Sequence, residues 1–212
     1  MQTERGLDRL TYFTDAIAAI AITLLILPVV DRVGEAQAEG ADAADFLRES
    51  VPSLLAFALS FAIIARLWFV HHTLFEHVRA YTPSLRWLSV AWAFTIVLLP
   101  LPSAMIAGWP ATSVVVAFYI GTLTASSAVL LAIAAIVRRS TIVQDPGNPV
   151  PASRVRTSAV ITAEFVVALL IGTLVPDVNF FALFVLFASP LVRWAQRAAR
   201  AVREARAVRG RR

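Results

Sequence analysis

Cysteine is absent from the 212-residue chain, which excludes a disulfide framework and any thiolate metal site. Lysine is absent too, so all nineteen basic residues are arginines. That bias reads as GC-rich coding, and no function attaches to it. Charged residues make up only 16% of the chain, and there are three histidines. No G-x-S-x-G elbow, no P-loop and no HExxH zinc motif occurs. His71 and His72 are adjacent, so on a helix their rings diverge by about 100°, unlike the i, i+4 pair that binds zinc. No catalytic constellation, cofactor site or metal site is therefore assigned, and the chain is not read as an enzyme. No A-x-A-like cleavage site follows the first apolar run, so that run is read as a retained helix.

What the chain has in excess is hydrocarbon. Hydrophobic residues make up 58% of it, against about 45–50% in a soluble domain. About 20 apolar residues are needed to cross a bilayer as a helix. Six stretches meet or approach that length: residues 10–30, 51–75, 86–107, 112–137, 157–176 and 178–195. The expectation is an all-α, polytopic membrane protein with six transmembrane helices over residues 1–195. A basic cytoplasmic tail, residues 196–212, follows. Pro176 ends the fifth span, and Gly108-Trp109-Pro110 makes a short turn between the third and fourth.

Charge sets the expected orientation. Residues 31–50 hold Asp31, Glu35, Glu39, Asp42, Asp45 and Glu49 against Arg32 and Arg48, and read as a mobile Ala/Gly-rich outer loop. Arg79 and Arg86 flank the second connection. Arg138, Arg139, Arg154 and Arg156 crowd the fourth, and eight arginines lie in residues 193–212. Arginine-rich loops stay in the cytoplasm. Both termini are therefore expected inside, in a multi-pass protein of the cell membrane. In the tail, arginines at 193, 197, 200, 203 and 206 share one broad helical face. Two readings stand: a helix lying on anionic lipid headgroups, or a solvated extension that enforces the positive-inside rule. No aromatic interleaving or fold motif supports nucleic-acid binding.

Ionisable residues within membrane spans are costly and call for a partner or water. They are Arg9, Asp15, Arg66, His71, His72, Glu76 and Glu164. Span one carries Arg9 and Asp15 at its inner end, and span two returns His71, His72 and Glu76 to the same depth. Trp87 opens span three there. A cluster of Arg9, Asp15, either histidine and Trp87 satisfies several polar groups at once, either as a lock between helices one to three or as part of a proton relay. For Arg66 the sequence leaves three options: snorkelling, pairing with Asp15 or pairing with Glu164. Beyond Asp15, residues Ile20, Leu24 and Leu27 recur on one stripe bordered by Thr23, while Ala16, Ala18, Ala19 and Ala21 keep other surface small. Pro28 deprives the carbonyl of Leu24 of its helical partner and loosens the outer end. Such a stripe serves either plain helix packing or a ring that gates by dewetting.

The pattern Arg9-x-x-x-Phe13-Thr14-Asp15 followed by AIAAIAITLLILPV resembles the RxxxFSD signature of the transmembrane protein 175 family of endosomal and lysosomal potassium channels, which has short prokaryotic members. Trp68 followed by His71 and His72 resembles that family's second helix, and the late Pro100-x-Pro102 its third. The resemblance covers spans one to three. It implies a homotetramer whose first helices line a central pore for potassium, with no TVGYG filter. Carried over by position, the narrow ring is Ile20, with Leu24 and Leu27 beyond it and Thr23 as the hydroxyl that favours potassium. It further implies a helix-locking network of Arg9, Phe13, Thr14, Asp15, His71, His72 and Trp87. Thr14 departs from the signature serine, and Ser89 stands where the family pattern carries asparagine. The competing reading is a proton-coupled transporter using the intramembrane Asp, His and Glu. No internal repeat of the kind common in transporters relates residues 1–107 to 108–212.

Overall fold

The computed structural model describes residues 4–175 and 178–187, with side chains through Leu183. Among the described residues there are seven α-helices and one 3-10 helix: α1 (Glu4–Leu24), α2 (Leu27–Ala38), α3 (Ala43–Phe75), α4 (Pro83–Leu98), α5 (Pro100–Gly108), α6 (Ser113–Arg139), α7 (Ala152–Leu174) and the 3-10 helix Asn179–Phe187. They contain no strand, only an isolated bridge between Val78 and Gln144. Five helical units are long and apolar enough to cross a membrane: Arg5–Ala38, Ala43–Phe75, Pro83–Gly108, Ser113–Arg139 and Ala152–Leu174. The expected sixth span starts as the 3-10 helix, and its remainder lies outside the described residues, as does the arginine-rich tail.

Local chemistry explains the starts and breaks. Asp42 caps α3 by accepting from the amide of Ala44 at 3.0 Å. Thr82 caps α4 by accepting from Leu85 at 3.3 Å, with Pro83 in the first turn, where its missing N–H costs nothing. Pro28 and Pro100 each interrupt a longer run, separating α1 from α2 and α4 from α5. The expectation of a mobile loop over residues 31–50 is corrected: α2 runs to Ala38 and α3 begins at Ala43. Alanine and glutamate are strong helix formers, and with the Asp42 cap they extend both helices into the acidic segment.

Helix α6 is the centre of the subunit. It packs against α7, α4, α5 and α3 and buries Val116, Tyr119, Ile120, Leu123, Ile133 and Val137. Buried hydroxyls tie it to its neighbours, as expected where lipid supplies no hydrophobic driving force between helices. The Tyr119 hydroxyl lies 3.1 Å from Ser60 Oγ of α3, which accepts from Ser103 of α5 at 3.0 Å. Ser127 meets Thr162 of α7 at 2.9 Å. Gly172 lets α7 approach closely, since a Cβ there would stand 2.9 Å from Val116 and 3.0 Å from the carbonyl of Asn179.

Two connections meet at one end of the bundle. The amide of Arg79 donates to Val143 O (3.0 Å) and that of Asp145 to His77 O (2.8 Å), while Arg79 Nη2 donates to Thr141 O (3.0 Å). His77 Nδ1 lies 2.8 Å from Asn148 O, and Arg138 donates to Val150 O at 2.8 Å. The segment after α3 is thereby clasped to the one after α6.

Candidate functional site

Helix α1 has two unlike faces. Thr14, Ala18, Ala21 and Leu25 recur at spacings of four and three, and all are buried against α3, α4 and α5. Small side chains there bring the helix axes close. On the other side of α1 lies the second face, with Ile20, Thr23 and Leu24 inside an arc of about 100°, and Leu27 follows it at the start of α2. Within the single chain these aliphatics are uncovered: Ile20 is 59% exposed, Leu24 40% and Leu27 45%. Thr23 is exposed too, and its hydroxyl donates to the carbonyl of Ile20 at 2.7 Å, which leaves its oxygen lone pairs available.

Toward the other end of α1, Asp15 turns to α3. One carboxylate oxygen accepts a 2.7 Å hydrogen bond from the Trp68 indole, and the other lies 3.4 Å from His72 Nδ1. Trp68 and His72 are one turn apart on α3, with ring centroids at 5.3 Å. His71 takes the opposite direction. It is fully buried, stacked on Trp92 of α4 at 4.0 Å and 8°, and on Phe75 at 4.5 Å. The adjacent histidines thus join α3 to two different helices.

This arrangement differs from the network expected from sequence. Asp15 and His72 do come together. Arg9 and Phe13 are exposed and outside the cluster, and the buried Thr14 hydroxyl bonds only within its own helix, to Leu10 O (3.2 Å) and Thr11 O (2.8 Å). Trp87 is 66% exposed and does not reach Asp15; Trp68 takes that role, and Trp92 covers His71. Depth is legible for Trp87, but its face is not: on α4 it is turned to the exposed side. The missed residue had a signal, since Trp68 and His72 sit at i, i+4 on one helix face. Ser89 donates to Leu85 O at 2.9 Å and also stays within its helix. Arg66 pairs with neither Asp15 nor Glu164; it lines a cavity between α3, α6 and α7. Glu164 lies on α7, whose main neighbours are α6 and the 3-10 helix, and it is not part of the Asp15 cluster.

Comparison with known proteins gives the fold a context. Residues 9–100 match the family model described as endosomal/lysosomal potassium channel TMEM175. A potassium channel of Chamaesiphon minutus is 31% identical over 148 residues, covering 65% of this chain and 64% of that protein. One of Streptomyces collinus is 34% identical over 99 residues, 47% of each. The endosomal/lysosomal proton channel TMEM175 of Bos taurus is 42% identical over 81 residues, covering 35% of this chain and 17% of that protein. The chain therefore spans less than two thirds of each of these relatives. Among solved structures, the lysosomal potassium-selective channel TMEM175 homolog from Chamaesiphon minutus has the same fold, with a TM-score of 0.69 and 23% identity over 89% of this chain and 98% of that one.

Proposed function

We propose, from the match of residues 9–100 to the TMEM175 family model, that this chain belongs to that family and forms a potassium-preferring cation channel in which α1 lines the pore of a homotetramer. The observation that carries the reading is the stripe of Ile20, Leu24 and Leu27, uncovered in its own subunit and opposite the face that packs. Four copies around an axis make rings of large aliphatics. Such a constriction is dry when closed and conducts when it widens enough to hold water. Thr23, between the rings, offers a hydroxyl oxygen to an ion that has shed part of its hydration.

The Asp15–Trp68–His72 cluster acts here as the anchor that keeps α1 at a fixed rotation, so that the aliphatic stripe faces the axis. A proton-coupled carrier would need Asp15, both histidines and Glu164 along one path. The separate directions of His71 and His72, and the position of Glu164 on α7, favour the channel. The subunit is read as lying in the cell membrane with both termini in the cytoplasm. The meeting of the Arg79-bearing and Arg138-bearing connections at one end supports that orientation. The six-helix domain over 1–195 and the basic tail over 196–212 complete the reading.

The test is electrical and structural together. Native mass measured in detergent should give four copies, and planar-bilayer recordings under a potassium/sodium gradient should show single-channel steps that reverse toward the potassium potential. A stable monomer, or unaltered conductance in the triple variant Ile20→Ala, Leu24→Ala, Leu27→Ala, removes the pore assignment.

A further inference from the structure

A second feature lies on the far side of α3 from the Asp15 cluster. Between α3, α6 and α7 is a cavity of about 490 Å³. One wall is hydrocarbon, from Leu67, Val70, Leu130, Ala134, Ile161 and Phe165. The other carries two guanidinium groups, Arg66 and Arg154, with the hydroxyls of Thr73, Thr157 and Ser158. Among the described residues no carboxylate lines it. Arg154 donates to Thr73 Oγ1 at 3.1 Å, a neutral partner that does not offset its charge. Arg66 has no ion-pair partner among the described residues. Arg154 also stands in the first turn of α7, which has no side-chain cap, so the helix dipole adds to the positive potential. Arg66 at membrane depth and Arg154 at the interface, with no counter-charge among the described lining residues, are costly to hold together, and an anion brought by the ligand relieves that cost.

We infer that this cavity is a binding site for an anionic phospholipid, its phosphate held by Arg66 and Arg154 and its upper acyl chains laid on the Leu67–Leu130–Phe165 wall. The three properties the site combines are those such a molecule requires: positive charge, hydroxyl donors, and an adjoining apolar channel between helices. Basic pockets between transmembrane helices at the arginine-rich end of a protein bind acidic headgroups for this reason. A long arginine stem suits the geometry, since it lies along hydrocarbon while its head reaches the interface. The inference does not depend on ion conduction, because its readout is lipid retention.

The experiment uses the full chain, purified in detergent and moved into nanodiscs of phosphatidylglycerol or phosphatidylcholine, with bound lipid counted by native mass spectrometry. The wild type should retain phosphatidylglycerol through detergent washing and release phosphatidylcholine. The double variant Arg66→Gln, Arg154→Gln should retain at least about ten-fold less, and Arg66→Lys, Arg154→Lys should retain most of it. Ala134→Trp fills the apolar wall and should lose the lipid with both arginines in place, which keeps the test decisive if the glutamine pair misfolds. Equal retention by wild type, the glutamine pair and Ala134→Trp overturns the proposal. So does displacement of the lipid by excess inorganic phosphate, which marks a free-anion site. Because the chain has no cysteine, Ile161→Cys reports who fills the cavity. A lipophilic maleimide should label it in phosphatidylcholine and be blocked by phosphatidylglycerol. Failure to label in both lipids means that a neighbouring copy occupies the space, and also overturns the proposal.

Discussion

The most apolar stretches of the membrane units that contain α1 and α6 are about equally hydrophobic, and the two helices differ in what they do with that surface. Half of the most apolar stretch of α6 is buried inside its own subunit, against less than a quarter of that containing α1. Helix α6 uses its polar groups as glue, with Tyr119 reaching α3 and Ser127 and Thr124 reaching α7. Helix α1 concentrates its polar contacts at Asp15 and leaves an aliphatic stripe exposed, with no partner among the described residues. Hydropathy marks both as membrane helices; it does not say which is a core and which is a working surface. What separates them is whether the second face of the helix has been covered.

Five substitutions sharpen or break that contrast. The largest effect belongs to the core helix. Leu123→Asp puts a carboxylate where no surface is exposed, with an unpaired polar group costing about 2–7 kcal/mol, and should abolish a monodisperse peak in gel filtration. Ile20→Asn on the stripe should leave thermal stability within about 0.5 kcal/mol of wild type. It should raise single-channel current and relax ion preference; a dewetting barrier lowered by about 1.4 kcal/mol gives about a ten-fold rise. If Ile20→Asn unfolds the protein instead, the two helices are not different in kind. Trp68→Phe removes the indole donor to Asp15 and should cost about 1.5–3 kcal/mol in thermal unfolding, whereas Asp15→Asn keeps an acceptor and should cost less. Smallest of all, Trp87→Phe should fall within about 0.5 kcal/mol of wild type, since its ring touches neither Asp15 nor His71.

Much of this was legible in the sequence. The apolar runs located the membrane helices, and Pro28 marked the break between α1 and α2. Asp15 and His72 share one depth, at the adjoining ends of the first two spans, and lie 3.4 Å apart. What failed was azimuth. Whether Trp87 or Trp92 faces α3 depends on how α4 is rotated by its packing on α6, and periodicity does not carry that information. The acidic stretch 31–50 was misjudged because polarity was taken as irregular structure, although its alanines and glutamates favour helix. The clasp between Val78 and Gln144 had no signal at all, being made mainly of main-chain groups that every residue has. The arginine cavity was invisible for a similar reason: Arg66 and Arg154 are 88 residues apart in number and come to line one cavity only once α3 and α7 are set beside α6.

The consecutive histidines carry a mechanical consequence. Because His71 is seated on Trp92 and His72 on Asp15, turning α3 about its long axis by one residue, about 100°, would bring one ring to the other's seat and leave the other ring with none. Torsion is the stiff coordinate of this helix. Leaning remains soft, since it carries α1, α3 and α4 together as one lever without unseating either ring. In the proposed channel, a pore wall mounted on that lever would widen by swinging, not by twisting.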